Sequence, residues 1–237
     1  LTVAGKITGN SSGLIYGVAD SDVNAGAGNA KTTLLAGADV NALSGIGTIA
    51  LVRGTGNATL DIQSGAKTTT ATSGAFGAAA VTANGVATAT VAGAITAGGL
   101  NVSGNTATAN LSGAIDGGTL NNGVTITGTT GAATLNQTAG TVTSGAGNDG
   151  VVVSGGAGGV VLNSTAGASI TGGVNGLKAT VTGAGTVTGT LNGDITGTGA
   201  GDGLNVNAGA GGVNLTTGGV IKGGATGDGI DITSAGG

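Results

Sequence analysis

The chain contains no cysteine, proline, methionine, tryptophan or histidine, and all ten of its acidic residues are aspartates. Each absence closes a route. Without cysteine, no disulfide staples the fold and no thiolate can serve as nucleophile or ligand. That suits an exported chain which crosses membranes unfolded. Without histidine or glutamate, the usual nucleophile–base pairs and most metal-ligand sets are missing. Two aromatic residues, Tyr16 and Phe76, are too few to line a groove that stacks on sugars. The six cations (Lys6, Lys31, Arg53, Lys67, Lys178, Lys222) lie scattered and make no stripe that could follow phosphates, which argues against nucleic-acid binding. Glycine, threonine or asparagine interrupts every apolar stretch, so no membrane span is predicted in this segment. A chain with no methionine is expected to be a processed product or a piece of a longer one. The strand-like Ile230-Asp231-Ile232 is followed only by Ser234-Ala235-Gly236-Gly237. Further coils, a cap or a partner subunit are therefore expected beyond the ends.

What the chain does have is glycine and small β-branched residues. Glycine fills 56 of 237 positions, 39% of residues are hydrophobic, and the net charge is only −4. Disordered chains are poor in apolar β-branched residues and usually highly charged. This composition instead predicts an ordered fold with a thin continuous core and a neutral exterior of Thr, Asn, Ser and Gly.

Order is also written as a period. An Asx-Gly pair recurs at Asn122-Gly123, Asp149-Gly150, Asn175-Gly176, Asp202-Gly203 and Asp228-Gly229. After each come two apolar residues flanking a variable one: Val124/Ile126, Val151/Val153, Leu177/Ala179, Leu204/Val206 and Ile230/Ile232. A fixed period with short strands and fixed turns encodes a solenoid whose coils stack on their neighbours. Alternate strand residues face opposite ways, so the apolar pairs are predicted inward, with Thr125, Val152, Lys178, Asn205 and Asp231 outward. A slip of one residue would bury Lys178 and Asp231. The Asx-Gly pairs are expected at turns that need φ > 0. A second column is Ile170-Thr171-Gly172, Ile195-Thr196-Gly197 and Ile221-Lys222-Gly223, preceded by Val142-Thr143. A third strand per coil is expected near Leu135, Leu162, Val187 and Leu215.

Upstream the period shortens to 20, where residues 87–95 match residues 107–115, and alanine is expected to fill a narrower interior. Residues 1–75 read as irregular coils with strand-like pieces at Leu1-Thr2-Val3, Lys6-Ile7-Thr8-Gly9, residues 48–52 and Leu60-Asp61-Ile62. Residues 76–237 read as regular coils. The fold predicted is all-β: a right-handed parallel β-helix of about 20–27 residues per coil, one elongated domain over 1–237.

The run Gly201-Asp202-Gly203-Leu204-Asn205-Val206, its echo at residues 227–233 and the intervening Gly211-Gly212-Val213-Asn214-Leu215-Thr216 resemble passenger-domain repeats of Gram-negative autotransporters and related surface adhesins. The likeness spans residues 85–237 and is one of composition and period. It implies a parallel β-helix displayed outside the cell as a stalk or adhesive module. The C-terminal membrane barrel of that family is not found in this sequence.

Several residues could carry chemistry or serve plain structural roles. The run Ser144-Gly145-Ala146-Gly147-Asn148-Asp149-Gly150-Val151-Val152 approaches the nonapeptide of calcium-binding β-rolls, but no second copy follows nine residues on. Asp149, Asp202 and Asp228 remain weak calcium candidates, since stacked aspartates could share a hard cation. An ice-binding face needs Thr-x-Thr pairs stacked in one flat column. The pairs at 125–127, 141–143, 180–182 and 186–188 do not supply it, because Thr125 is followed one coil on by Val152, Lys178, Asn205 and Asp231, and Thr143, Thr171 and Thr196 end at Lys222. Asp20 with Asp22, and Asp228 with Asp231, are the close carboxylate pairs that a polysaccharide-cleaving enzyme would need, with nothing else in the sequence converging on them. The sequence therefore points to a non-enzymatic structural protein of the bacterial outer surface, a stalk, adhesin segment or filament subunit. It would need no cofactor. Expected partners are further copies of itself, end to end or side by side, and a host or neighbouring-cell surface.

Overall fold

In a computed structural model the chain is all-β, and the structure describes residues 1–10, 17–24, 26–71 and 75–235. Three parallel sheets of nine strands each run the length of the described chain. Strands are numbered along the sequence and dealt to the sheets in turn. The first sheet takes Thr2–Val3 (β1), Ala30–Leu34 (β4), Ala58–Ile62 (β7), Val86–Val91 (β10), Thr106–Leu111 (β13), Ala133–Gln137 (β16), Val160–Ser164 (β19), Val187–Leu191 (β22) and Val213–Thr217 (β25). The second takes Lys6–Asn10 (β2), Asp39–Ser44 (β5), Lys67–Thr70 (β8), Ala94–Thr96 (β11), Ala114–Asp116 (β14), Thr141–Thr143 (β17), Ser169–Gly172 (β20), Asp194–Gly197 (β23) and Ile221–Lys222 (β26). The third takes Gly17–Val23 (β3), Ile46–Val52 (β6), Ala78–Thr82 (β9), Leu100–Gly104 (β12), Val124–Gly128 (β15), Val151–Gly155 (β18), Leu177–Val181 (β21), Leu204–Ala208 (β24) and Ile230–Ser234 (β27). This is a right-handed parallel β-helix.

The register is the one the period predicts. Val124 pairs with Val151, Val151 with Leu177, Leu177 with Leu204 and Leu204 with Ile230. The second column also stacks as expected, Val142 over Ile170, Ile195 and Ile221. Leu135 and Leu162 pair in the first sheet. Most inward residues form one core running from Val3 to Ala208, with Leu60, Ile95, Ile126 and Leu162 among its fully buried side chains. Ala30, Ala50, Val52 and Ala58 form a small separate cluster. Each large aliphatic so buried contributes roughly 1.5–3 kcal/mol.

Coil length varies far more than register. Ala87 lies beside Ala107, only 20 positions on, and alanines 78, 80, 87, 89, 107 and 109 fill the core there. Toward the N-terminus the coils lengthen: Ala30 pairs with Ala58 and Lys6 with Asp39, steps of 28 and 33. Residues 1–75, whose register the sequence did not disclose, thus supply β1–β8 to the same three sheets. The pairing stays parallel throughout, with one irregularity between β2 and β5, where Gly9 pairs with Ala42 and Asn10 with Ser44.

One expectation is corrected. Among the described residues, none of the five Asx-Gly pairs has positive φ at either residue. Their glycines are required for close approach instead. A Cβ on Gly176 would lie 2.7 Å from both the Gly203 carbonyl oxygen and Ile195 Cγ2, and Gly150 and Gly203 meet the same obstacles one coil away. Left-handed glycines do occur, but elsewhere, as at Gly167 (φ +86°) in the turn before β20.

The alternation yields a direct test. Val153 is fully buried and its neighbour Val152 faces out. Val153→Asp places an unpaired carboxylate in the core and is expected to cost several kcal/mol, seen as a large loss in thermal midpoint by circular dichroism. Val152→Asp should leave the midpoint nearly unchanged; equal losses would refute the assigned register.

Candidate functional site

Three polar assemblies stand out on this scaffold. The first is the Asx column. The Asp149 N–H donates to Asn122 Oδ1 at 2.9 Å, the Asn175 N–H to Asp149 Oδ1 at 2.9 Å, the Asp202 N–H to Asn175 Oδ1 at 2.8 Å and the Asp228 N–H to Asp202 Oδ1 at 2.8 Å. The following glycine bonds the other way: the Gly150 N–H donates to the Asn175 carbonyl at 2.9 Å and the Gly176 N–H to the Asp202 carbonyl at 3.0 Å. Each corner is thereby tied to the coils above and below it. Such bonds contribute about 0.5–1.5 kcal/mol apiece.

This geometry decides how the calcium candidates are used. Asp149, Asp202 and Asp228 do stack, one per coil, with Asn175 between the first two. Asp149 Oδ1 accepts both the N–H and Nδ2 of Asn175. Asp202 spends Oδ1 on the next coil and Oδ2 on Asn205 Nδ2, which also donates to Asp231 Oδ2. The carboxylates of Asp149 and Asp202 act as inter-coil acceptors, while Asp228 joins the column through its backbone N–H. No group of three or more metal-ligating side chains occurs among the described residues.

The second assembly is an amide ladder on the outside of the first sheet. Asn136 Nδ2 donates to Asn110 Oδ1 and Asn163 Nδ2 to Asn136 Oδ1, each at 3.0 Å. Thr138, Thr165 and Asn192 rise beside it and leave a shallow polar groove of about 470 Å³. Beneath its edge, Gln137 is buried, its Nε2 donating to the carbonyls of Gly140 and Ser169, while its Oε1 has no partner among the described residues.

The third is the only place among the described residues where an arginine meets carboxylates. Asp20 and Asp22 lie two apart on β3 and share its outer face, as alternation requires. A third member joins them: Arg53, just past β6, brings Nη2 to 3.3 Å from Asp22 Oδ2. The earlier expectation that nothing converges on this pair is therefore wrong. Asp20 pairs in register with Ile49, and Asp22 with Leu51. Ile49 and Leu51 face outward but are buried in a small external cluster with Ile46, Ala79, Phe76 and Val81. Low polarity beside the carboxylates follows. Burial, and then the negative charge of Asp22, push the Asp20 carboxyl above the ordinary aspartate range, against the opposing pull of the Gly17 backbone and Arg53. Oδ1 of each aspartate is buried with no hydrogen-bond partner among the described residues. Burial and the neighbouring Asp22 thus make Asp20 the carboxyl of this cluster that takes up a proton more readily than an exposed aspartate. Sequence reasoning missed it because Arg53 is 31 positions from Asp22 and only the coil length of that one turn brings them together.

Phe76 packs against that external cluster, and Tyr16 lies outside the described residues. Asp228 and Asp231 share no bonded partner; each is tied to a different residue of the preceding coil. Thr143, Thr171, Thr196 and Lys222 stack as the sequence implied.

With this geometry the molecule is defined as a three-sheeted parallel β-helix whose polar side chains are spent mainly on joining coils. No protein-family model, no curated protein and no solved structure matches the chain.

Asp20 provides a pH test. A carboxyl raised above its unfolded value keeps a proton that the unfolded chain has released, so stability falls as pH rises from about 4 through the folded value. Asp20→Asn removes that dependence. Thermal midpoints measured across this range should fall less steeply for the variant, which should be at least as stable as the parent at neutral pH. A variant less stable at neutral pH, with an unchanged slope, would contradict the assignment.

Proposed function

We propose that this protein is a mechanical element of a bacterial outer surface: a stiff segment of a stalk, adhesin or extracellular filament, not an enzyme. The observation that carries the reading is where the polar groups go. Backbone and Asx side chains are used coil to coil along the axis, while the lateral faces carry Thr, Asn, Ser and Gly with few charges. A chain organised so transmits load through hydrogen-bond ladders in series with a dry core, and its sides interact weakly with bulk solutes. Likeness to autotransporter passenger repeats supports display outside the cell. Self-association through sheet faces or coil ends, and contact with another cell, fit the same role.

Single-molecule pulling tests the mechanical claim. Tethered at its two ends, the chain is expected to yield in steps, each releasing about one coil, roughly 90 Å of extended chain for some 27 residues. Smooth extension at negligible force would overturn it. In producing cells, antibody should reach the chain without permeabilisation; labelling only after permeabilisation would refute the surface location.

A further inference from the structure

The outer face of the first sheet carries a two-dimensional array that the uneven coil lengths hide in the sequence. Register stacks Thr59, Thr88, Thr108 and Thr134 in one column, which continues through Val161 to Thr188. Two residues along each strand, the adjacent column holds Thr90, Asn110, Asn136, Asn163 and Thr190. From β10 to β22 these outward positions are threonine and asparagine except for Val161, which keeps the branched shape of threonine. None is charged. Below β10 the same face does carry charge, Lys31 beside Thr59 and Asp61 beside Thr90, so the neutral array is the stretch from β10 to β22. Over the corresponding coils the second sheet carries Asp116 and Asp194 and the third carries Lys178.

Regularity here is two-dimensional. Columns repeat at about 4.8 Å up the stack and about 6.7 Å along each strand. The pairing from β7 to β22 is one-to-one with no bulge, although the coils it joins range from 20 to 29 residues. The side chains are also held in place. Threonine is stiff at χ1, and the amides of Asn136 and Asn163 are fixed by the ladder while each spends only one of its two N–H donors there.

We propose that this face binds ice. Both repeat distances lie close to spacings between water molecules in the ice lattice. Methyl groups at those spacings order the water over them, and the hydroxyl and amide groups hold that layer to the protein, so it merges with a growing crystal face. Rigid side chains lose little entropy on docking, and a face without charge does not impose the tight hydration shell that ice cannot incorporate. The face suits a crystal better than a sugar chain, since no aromatic ring stands on it. The Thr125 column is interrupted by Lys178, and the Thr143 column spans only three coils between Asp116 and Lys222.

The test is thermal hysteresis of the purified chain, with its partition into slowly grown ice as a second readout. Hysteresis and enrichment in the ice are expected. T108Y/T134Y, which raises two bulky rings from the array, should lose both, and T171Y on the second sheet should keep both. Circular dichroism and melting check folding; if the double variant fails to fold, T88Y, further along the column, is read the same way. Absence of hysteresis with exclusion from ice overturns the proposal, as does equal loss in T171Y. Self-association or polysaccharide binding through this face without hysteresis overturns it too. The outcome is independent of the pulling experiment, because a rod can be stiff without binding ice.

Discussion

Every feature of this molecule rests on residues lying directly above their counterparts in the preceding coil. A parallel strand in a β-helix has no hairpin partner; its N–H and C=O groups are satisfied only by the coil on each side. The cost of losing one coil's position is therefore felt by its neighbours, and vertical register is the constraint to which composition, core and surface all answer. Small residues follow from it. Where main chains of successive coils approach as closely as at Gly150, Gly176 and Gly203, a single added methyl collides with the next carbonyl. The glycine content that would suggest disorder in another chain is here the condition for stacking.

The same constraint turns side chains into backbone substitutes. At the Asx corners the strand ladder is interrupted, and a side-chain oxygen takes up the N–H of the next coil. Asparagine and aspartate serve equally because each offers an Oδ1 acceptor at the same reach, which explains why the column mixes them. Of the carboxylates that looked like a cation site in the sequence, Asp149 and Asp202 are engaged in this way. On the outer side of the first sheet, asparagine amides make a parallel ladder of their own. A molecule that spends its polar groups along one axis is built to be stiff in that direction, and it leaves flat, repetitive faces to the solvent.

How much of this could be read from the sequence depended on coil length. Between Val124 and Ile232 the coils differ by one residue at most in the third sheet, so apolar pairs and Asx-Gly recur on schedule, and inward and outward positions could be assigned residue by residue. Before residue 100 the connections differ in length, so the period breaks although the stack does not. Thr59, Thr88, Thr108 and Thr134 are separated by 29, 20 and 26 positions, and no fixed offset aligns them. Arg53 and Asp22 were hidden for the same reason. The conformation of the Asx-Gly corners was misread because a glycine after Asn or Asp is the common mark of a left-handed turn, while here the demand is for space.

Direct covalent trapping of one rung tests the stacking most sharply, since the chain contains no cysteine of its own. Thr125 and Val152 are register partners on the outer face, whereas Thr125 and Lys178 are two coils apart. Neighbouring strands stand about 4.8 Å apart, within disulfide reach, and twice that distance lies beyond it. With Thr125→Cys and Val152→Cys together, mild oxidation should close an intramolecular disulfide without loss of structure, and with Thr125→Cys and Lys178→Cys it should not. Closure of the second pair in preference to the first would contradict the account.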